Sequence, residues 1–259
     1  MTIENIFSEV TTTYTESLNN VSRTNSRALI DKTILQKYYL MDIKRACKLM
    51  HDFLDENDVF LDFGNGVSPI AAIMSHFVKQ VFACDILKED WNLEWWTTMS
   101  KTYGHKQYII SGSEKLPHKD ETFDGISMYA VLEHIGKTKK EIFSKIPEIT
   151  RVLKKGGYLF IFRTPQKYSA IEYIEKKLNI PCHKVLLDTN ETTREFEKNG
   201  YRVIEFEKYG ILPDFWPGKL SDVQNKYASL YYTINKVLST VPIINFFAHD
   251  MMYVLRKEN

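Results

Sequence analysis

Between residues 59 and 162, short apolar runs take turns with helical stretches, and this alternation constrains the fold more than any other feature. The apolar runs fall at residues 59–63, 81–85, 107–111, 123–129 and 158–162. Their length is that of buried strands. Helices are expected between them at residues 69–78, 90–103 and 139–153. In the last of these, Ile142, Phe143, Ile146, Ile149 and Val152 recur at helical spacing. Strands alternating with helices specify a mostly parallel sheet covered on both faces. Two later runs, at 201–207 and 250–256, complete seven strands of a doubly wound α/β sheet. An amphipathic helix over residues 34–54 precedes the first strand, with Tyr38 and Tyr39 on its apolar stripe. Residues 1–30 hold fourteen Ser, Thr or Asn residues and no sustained period. An arm or lid is therefore expected over residues 1–40, ahead of a main domain at 41–259. Substrate-side insertions are expected at about residues 165–195 and 209–249, with helices at 168–178, 192–199 and 223–238.

The first strand runs into a glycine turn. The segment Val59-Phe-Leu-Asp-Phe-Gly-Asn-Gly-Val-Ser68 reads as strand, turn and helix start. Gly64 and Gly66 tolerate φ > 0 and let a ligand approach the backbone. The helix beyond Ser68 offers unpaired N–H groups and a partial positive charge, and Pro69 suits its first turn. In an open parallel sheet such a loop lies at the carboxyl ends of the strands, where ligands bind. Asp85, closing the second strand, can accept both hydroxyls of a ribose. A ligand-free turn and a nicotinamide-dinucleotide site are the competing readings. Asp62, just before the glycines, disfavours a pyrophosphate and favours a cationic ligand. Pro69 also stands where the dinucleotide fingerprint has its third glycine.

Composition narrows the classes. The chain has 259 residues, enough for one large domain or a domain with a lid. Lys plus Arg is 34 and Asp plus Glu is 33, for a net charge of +1. That balance gives no footprint for general nucleic-acid binding. No apolar run nears the roughly 20 residues of a membrane-spanning helix, so no integral membrane segment is expected. The first thirty residues also lack a signal-peptide pattern. Cys47, Cys84 and Cys182 are odd in number and far apart, which disfavours a disulfide framework or a zinc site. A cytoplasmic location is the expectation.

Four further segments follow in fixed order: Gly112-Ser-Glu-Lys-Leu-Pro-His118, Thr122-Phe-Asp-Gly-Ile-Ser-Met128, Val131-Leu-Glu-His-Ile135 and Val152-Leu-Lys-Lys-Gly-Gly157. With the Asp62–Ser68 loop and Asp85, this order resembles the class I S-adenosylmethionine-dependent methyltransferases, in the branch that modifies small molecules, lipids and sugars. The resemblance covers residues 55–165 well and 190–208 loosely. It implies a Rossmann-like fold and S-adenosyl-L-methionine as cofactor. It also implies that Asp62, Gly64 and Gly66 hold the cofactor's amino-acid part, and that Asp85 takes the ribose hydroxyls. Ile86 would pack on the adenine, Ser113 and Glu114 would line its edge, and Tyr129 would sit under the methionine moiety. Gly156 and Gly157 would form a structural turn into the fifth strand. Gly112 departs from the family, which often has Asp there, so the adenine amine needs another acceptor.

A hydroxyl acceptor requires a base. His134, five residues beyond Tyr129, is the first candidate, with a capping or packing role as its alternative. His183, in the insertion before the sixth strand, is the second. Ubiquinone-pathway O-methyltransferases resemble this stretch but carry an earlier Glu and bind a divalent metal. Here that position is Ala130, and one Glu with one His falls short of a hard-cation shell, so no metal is expected. Trp91, Trp95 and Trp96 read as packing residues. Tyr38 or Tyr39, with Phe215 and Trp216, are expected to wall the site, with Pro213, Pro217 and Gly218 shaping the loop. The apolar stretch at 227–247 is read first as a buried helix, with peripheral contact to a membrane surface as its alternative. The resulting function is methyl transfer to a small-molecule acceptor, on a hydroxyl of a sugar, lipid-linked intermediate or metabolite. N- or C-methylation of a metabolite and a cofactor-binding partner without turnover are the alternatives. An RNA substrate is disfavoured by the charge balance.

Overall fold

The computed structural model describes residues 2–22, 37–86, 90–110, 115–180, 183–213 and 219–259; at 18–22, 90–95 and 219–221 it describes the backbone alone. Seven strands form one sheet in the order β3-β2-β1-β4-β5-β7-β6. They are β1 Val59–Phe63, β2 Gln80–Asp85, β3 Lys106–Ile109, β4 Phe123–Tyr129, β5 Leu153–Pro165, β6 Tyr201–Tyr209 and β7 Asp250–Lys257. The chain divides into two compact units, residues 1–114 and 115–259.

In the first unit, β1, β2 and β3 pair in parallel. Phe60, Leu61, Ala83 and Cys84 are fully buried. The helix Ile70–Met74 that follows β1 has no exposed residue. A helix hidden all round needs no amphipathic stripe, and its sequence Ile-Ala-Ala-Ile-Met has none. The expectation of an irregular arm at the amino terminus is corrected here: Ile3–Ser22 is a helix. Ile6, Val10 and Tyr14, spaced by four, are buried and pack toward the helices Lys37–Phe53, Ile70–Met74 and Asp90–Tyr103. Thr11, Thr12 and Thr13 between them satisfy their hydroxyls on the preceding turn, as Thr11 Oγ1 does on the Phe7 carbonyl at 2.7 Å. Residues 23–36 of the expected arm lie outside the described residues.

In the second unit, β4 and β5 are parallel, while β7 runs antiparallel to both β5 and β6. The helix expected over 139–153 is two helices, Lys139–Phe143 and Ile146–Val152. Pro147 enters at the first turn of the second, the place where its missing N–H costs nothing. Gly156 and Gly157 do not precede the fifth strand; they lie inside it. Between the pairs Phe123↔Leu153 and Gly125↔Tyr158 the register shifts. Gly156 has φ +81°, and a Cβ on Gly157 would stand 2.8 Å from the Asp124 carbonyl. This is a bulge that only glycine accommodates. The stretch expected as one helix over 223–238 is two, Lys219–Lys226 and Ala228–Ser239.

Candidate functional site

The glycine loop is held by its own polar groups. After β1, Gly64 and Gly66 take φ of +76° and +50°, so the backbone turns without strain. The amides of Gly64 and Asn65 donate to the Cys84 carbonyl at 2.8 and 3.1 Å, which anchors the loop to β2. Asp62 is 1% exposed, and its Oδ2 accepts from Asn65 Nδ2 at 2.6 Å. Asn65 Nδ2 also reaches the Ser68 carbonyl, and its Oδ1 accepts from Trp96 Nε1 at 2.6 Å. Asn65 thus ties strand, turn and the helix carrying Trp96 into one hydrogen-bonded knot. Burial pushes the Tyr14 phenol well up, and the Asp62 carboxylate adds to it, so the amino-terminal helix brings a side chain into the electrostatic reach of this loop.

Asp85 closes β2 and is half-buried. Its Oδ2 accepts from the Gly66 amide at 2.8 Å, which uses one of a carboxylate's roughly four acceptor positions. The side chain next to it, Ile86, is 44% exposed. An acid and an exposed apolar side chain at a strand end suit the hydroxyls and the flat base of a nucleoside. The glycine backbone and the buried Asp62 suit a cationic amino acid. The donor set of this unit therefore fits S-adenosyl-L-methionine. Ser113 and Glu114 lie outside the described residues. In the second unit Leu116, of the same motif, is buried, and its amide donates to Glu148 at 2.7 Å. Arg151 bonds Glu148, Asp120 and the His118 carbonyl, which fixes residues 116–120 to the helix before β5.

The second unit carries the candidate acid–base groups. Tyr129, at the end of β4, is buried, with its ring 6.0 Å from that of Phe162. The next residue, Ala130, has φ +55°, and Arg163 on β5 has φ +56°. Left-handed backbone at non-glycine residues is strained and concentrates at functional sites. Beyond Ala130, a short turn Leu132–His134 splits its two polar residues. Glu133 is 4% exposed, while the His134 side chain is 63% exposed. Glu133 Oε1 and His134 Nε2 stand 3.5 Å apart. Neither Glu133 oxygen has a hydrogen-bond partner among the described residues. Burial pushes this carboxyl up to about 8, so it holds its proton at neutral pH.

His183 joins this group from the insertion. Its ring lies 5.8 Å from His134 and 5.7 Å from His249. Its Nδ1 pairs with Glu172 Oε1 at 2.5 Å, and its amide donates to Glu172 Oε2 at 3.1 Å. The hydrogen bond with Glu172 raises the imidazole above its ordinary value. Glu172 is buried, which alone would raise it, yet the bond with His183 holds it below the usual carboxylate range. His249 is buried against Ser169 Oγ at 3.0 Å, and burial lowers its imidazole. Asp250 Oδ2 stands 3.8 Å from Arg163.

The structure thus brings His134 and His183 together. It adds Glu133, Glu172 and His249, which sequence reasoning did not assign. Glu133, His134 and His183 offer three potential metal-ligand atoms within 4.8 Å of one another, as do Glu172, His183 and His249. The expectation of no metal considered Glu133 and His134; His183 lies with them. The only advance signals were the Glu133-His134 pair itself and the His249-Asp250 pair at the start of the last strand. Phe215 and Trp216, expected as walls, lie outside the described residues, with Pro217 and Gly218. Tyr38, Tyr39 and Trp96 are buried packing residues.

These features define a class first: a doubly wound α/β domain with a ligand loop after its first strand. Residues 61–161 match the family model described as a methyltransferase domain. An S-adenosylmethionine-dependent methyltransferase from Archaeoglobus fulgidus is similar at 16% identity and TM-score 0.61, over 88% of this chain and 98% of that one. A second, from Methanosarcina mazei, is similar at 17% identity and TM-score 0.56, over 81% and 96%. The [4+2]-cyclase SpnF is similar at 15% identity and TM-score 0.54, over 82% and 80%. No curated protein sequence matches the chain. The structural likenesses establish the fold, and the domain match carries the activity. The match over residues 61–161, with the donor set of the glycine loop, supports methyltransferase activity with S-adenosyl-L-methionine as cofactor.

Proposed function

We propose that this methyltransferase acts on a hydroxyl oxygen of a small molecule such as a sugar, a lipid-linked intermediate or another metabolite. The observation that carries this reading is the His183–Glu172 pair. An oxygen acceptor must lose a proton as it attacks, whereas many nitrogen acceptors are already nucleophilic. Glu172, an ionised acceptor, fixes the His183 tautomer with hydrogen on Nδ1, which leaves the Nε2 lone pair to receive that proton. When bound, S-adenosyl-L-methionine supplies an activated methyl group on a sulfonium sulfur. Asp62, Gly64 and Gly66 hold its amino-acid part, Asp85 the ribose hydroxyls, Ile86, Ser113 and Glu114 the adenine, and Tyr129 the methionine moiety. The bound cofactor would supply the methyl group to the acceptor oxygen, and His183 would take up the proton that this oxygen gives up. His134 stands as the second base in the same group, with its exposed ring 5.8 Å from that of His183. The test is transfer of labelled methyl from the cofactor into fractionated metabolite extracts. A product whose label survives base but not ether cleavage supports oxygen methylation. Label on nitrogen, with His183→Ala turning over normally, would overturn it. Loss of activity on chelation, restored by a divalent metal alone, would reassign the cluster to metal ligation.

A further inference from the structure

The helix Ala228–Ser239 is mounted with its polar side inward. Its only buried residues are Ala228 and Asn235. Asn235 Oδ1 accepts from the Ile211 and Leu212 amides at 2.7 and 3.1 Å. Tyr231 Oη donates to the Pro213 carbonyl at 2.7 Å, and the buried Gln224 from the preceding helix donates to the same carbonyl at 3.1 Å. On the outward side Leu230, Ile234 and Val237 are exposed at spacings of four and three, among Ser229, Thr233 and Lys236; Val223 on the preceding helix, and Tyr227 and Val241 beyond the two ends, are exposed as well. This reverses the ordinary amphipathic arrangement, in which the apolar stripe faces the core. The sequence expectation of a buried helix here is corrected by the same residues.

The apolar surface continues past the helix. Ile243 is 80% exposed, and Phe246 and Phe247 are also exposed. Asn245 Nδ2 donates to the Ser239 carbonyl, which folds this corner back on the helix. The Tyr168 ring stacks on Phe246 at 5.1 Å, and the Ala170 amide donates to the Phe247 carbonyl at 3.1 Å. That joins the corner to the helix Ala170–Lys177, whose Tyr173 and Ile174 are exposed as well. Tyr168, Leu178 and Ile180, which flank that helix, are exposed too, and among the described residues of the second unit Phe206 is the one large exposed apolar side chain outside residues 168–180 and 223–247. Apolar surface gathered in this way marks an interaction site.

Its charge identifies the partner. Residues 223–247 contain Lys226 and Lys236 and no Asp or Glu. Lysine ammonium groups lie over the aromatic rings: Lys226 over Tyr227 at 5.4 Å, Lys208 over Phe246 at 5.5 Å, Lys167 over Tyr168 at 5.1 Å and Lys177 over Tyr173 at 5.6 Å. Aromatic rings and lysine stems beside exposed aliphatic side chains suit the boundary between acyl chains and anionic headgroups. A second copy of this chain, meeting the surface symmetrically, would set the same lysines against each other. A coiled-coil partner would need only the narrow stripe, not the corner at 243–247 and the helix at 170–177.

We propose that this surface docks on an anionic phospholipid bilayer, in the plane of the interface and without crossing it. No helix among the described residues is long and apolar enough to span a membrane, as a surface-bound enzyme requires. The inference goes beyond the hydroxyl-methylation reading and does not depend on it, because membrane binding is measured without turnover.

The experiment is co-sedimentation of the full chain with vesicles of phosphatidylcholine alone and with phosphatidylglycerol added, at low and high salt. Binding is expected to the mixed vesicles, weakening as salt screens the lysines. Leu230→Gln/Val237→Gln should lower the lipid partition coefficient at least about tenfold by removing two inserted aliphatic chains. Lys226→Glu/Lys236→Glu should lower it comparably at low salt. All four side chains are exposed, so melting temperatures should hold. Three results would each overturn the proposal: no partition into either vesicle at low salt, partition unchanged in the Leu230→Gln/Val237→Gln variant, or a solution dimer that this variant dissolves.

Discussion

In the amino-terminal unit, the polar groups of the glycine loop, proposed to hold the cofactor, come from residues 62–68, joined by Asp85 and Trp96, and they satisfy one another. Asp62 meets Asn65, Asn65 meets Trp96, and Gly66 meets Asp85. In the carboxyl-terminal unit, the acid–base groups come from four separate segments around Glu133, Arg163, Glu172–His183 and His249–Asp250. Part of that group has no hydrogen-bond partner among the described residues, as with both Glu133 oxygens. The first arrangement is a preformed cradle whose geometry is fixed before a ligand arrives. The second concentrates charge, burial and backbone strain, which is the physical signature of groups that exchange protons. Perturbing the first should therefore change binding, and perturbing the second should change pH dependence and turnover.

The largest effect is expected at Asp85. Asp85→Ala removes the acceptor proposed for two ribose hydroxyls, each charge-assisted bond worth about 1.5–3 kcal/mol, and also frees the Gly66 amide. Titration calorimetry with S-adenosyl-L-methionine should show binding weakened by roughly two orders of magnitude or more in a folded protein. Unchanged affinity would remove Asp85 from the cradle.

Glu133 offers the next largest effect, and it appears in stability. Below the ordinary carboxylate range both folded and unfolded chains hold its proton. Between there and about 8 the unfolded chain releases it while the folded chain keeps it. Stability should therefore fall as pH rises through that window, by up to about 1.4 kcal/mol per pH unit, and level off above it. Glu133→Gln, which cannot ionise, should flatten this slope. Denaturant midpoints from pH 5 to 9 would measure it, and equal slopes in the two proteins would place Glu133 in an ionised, paired state instead.

Turnover should respond at His183 by about 10²-fold or more in His183→Ala, with cofactor affinity retained. The sign of the pH dependence follows from Glu172, which raises His183 above its ordinary value. A base must be neutral, so the rate should climb with pH along a limb displaced above the free-imidazole range. Glu172→Gln should move that limb down, because the neutral amide no longer favours the protonated ring. A limb unmoved by Glu172→Gln would shift the role of base to His134.

The same contrast governs how much the sequence revealed. The loop was legible because its residues are neighbours in the chain and its glycines mark the backbone conformation directly. The central strands were legible because burial on both faces leaves apolar runs such as Leu159–Phe162. Asn65 was passed over, since one amide between two glycines looks like turn filler until Trp96 is folded onto it. The histidine cluster was not legible, because no spacing rule connects residue 134 with residues 172, 183 and 249. The amino-terminal helix was hidden by its composition, with Ile6, Val10 and Tyr14 diluted among hydroxyl residues that bond their own preceding turn. The apolar stripe at 223–241 was visible, but its direction was not. Periodicity gives the face of a helix, whereas Asn235 and Tyr231 decide which face the protein keeps.

The smallest predicted effect lies at Asn65, and it tests whether the cradle is preformed. Asn65→Ala strips one hydrogen-bond partner from the buried Asp62 carboxylate and another from the Trp96 indole N–H. Polar groups buried without their partners cost about 1–3 kcal/mol, which for a chain of this size lowers the melting temperature by roughly 2–10 °C. The acid–base cluster is untouched by this change, so turnover at saturating cofactor should hold while cofactor affinity falls. That split separates the two regions in one variant. If affinity survives despite a lower melting temperature, the Gly66–Asp85 hydrogen bond alone shapes the loop, and the Asn65 knot is only structural. If the maximal rate falls as far as the affinity, the loop also positions the methyl donor, and the division of labour between cradle and cluster fails.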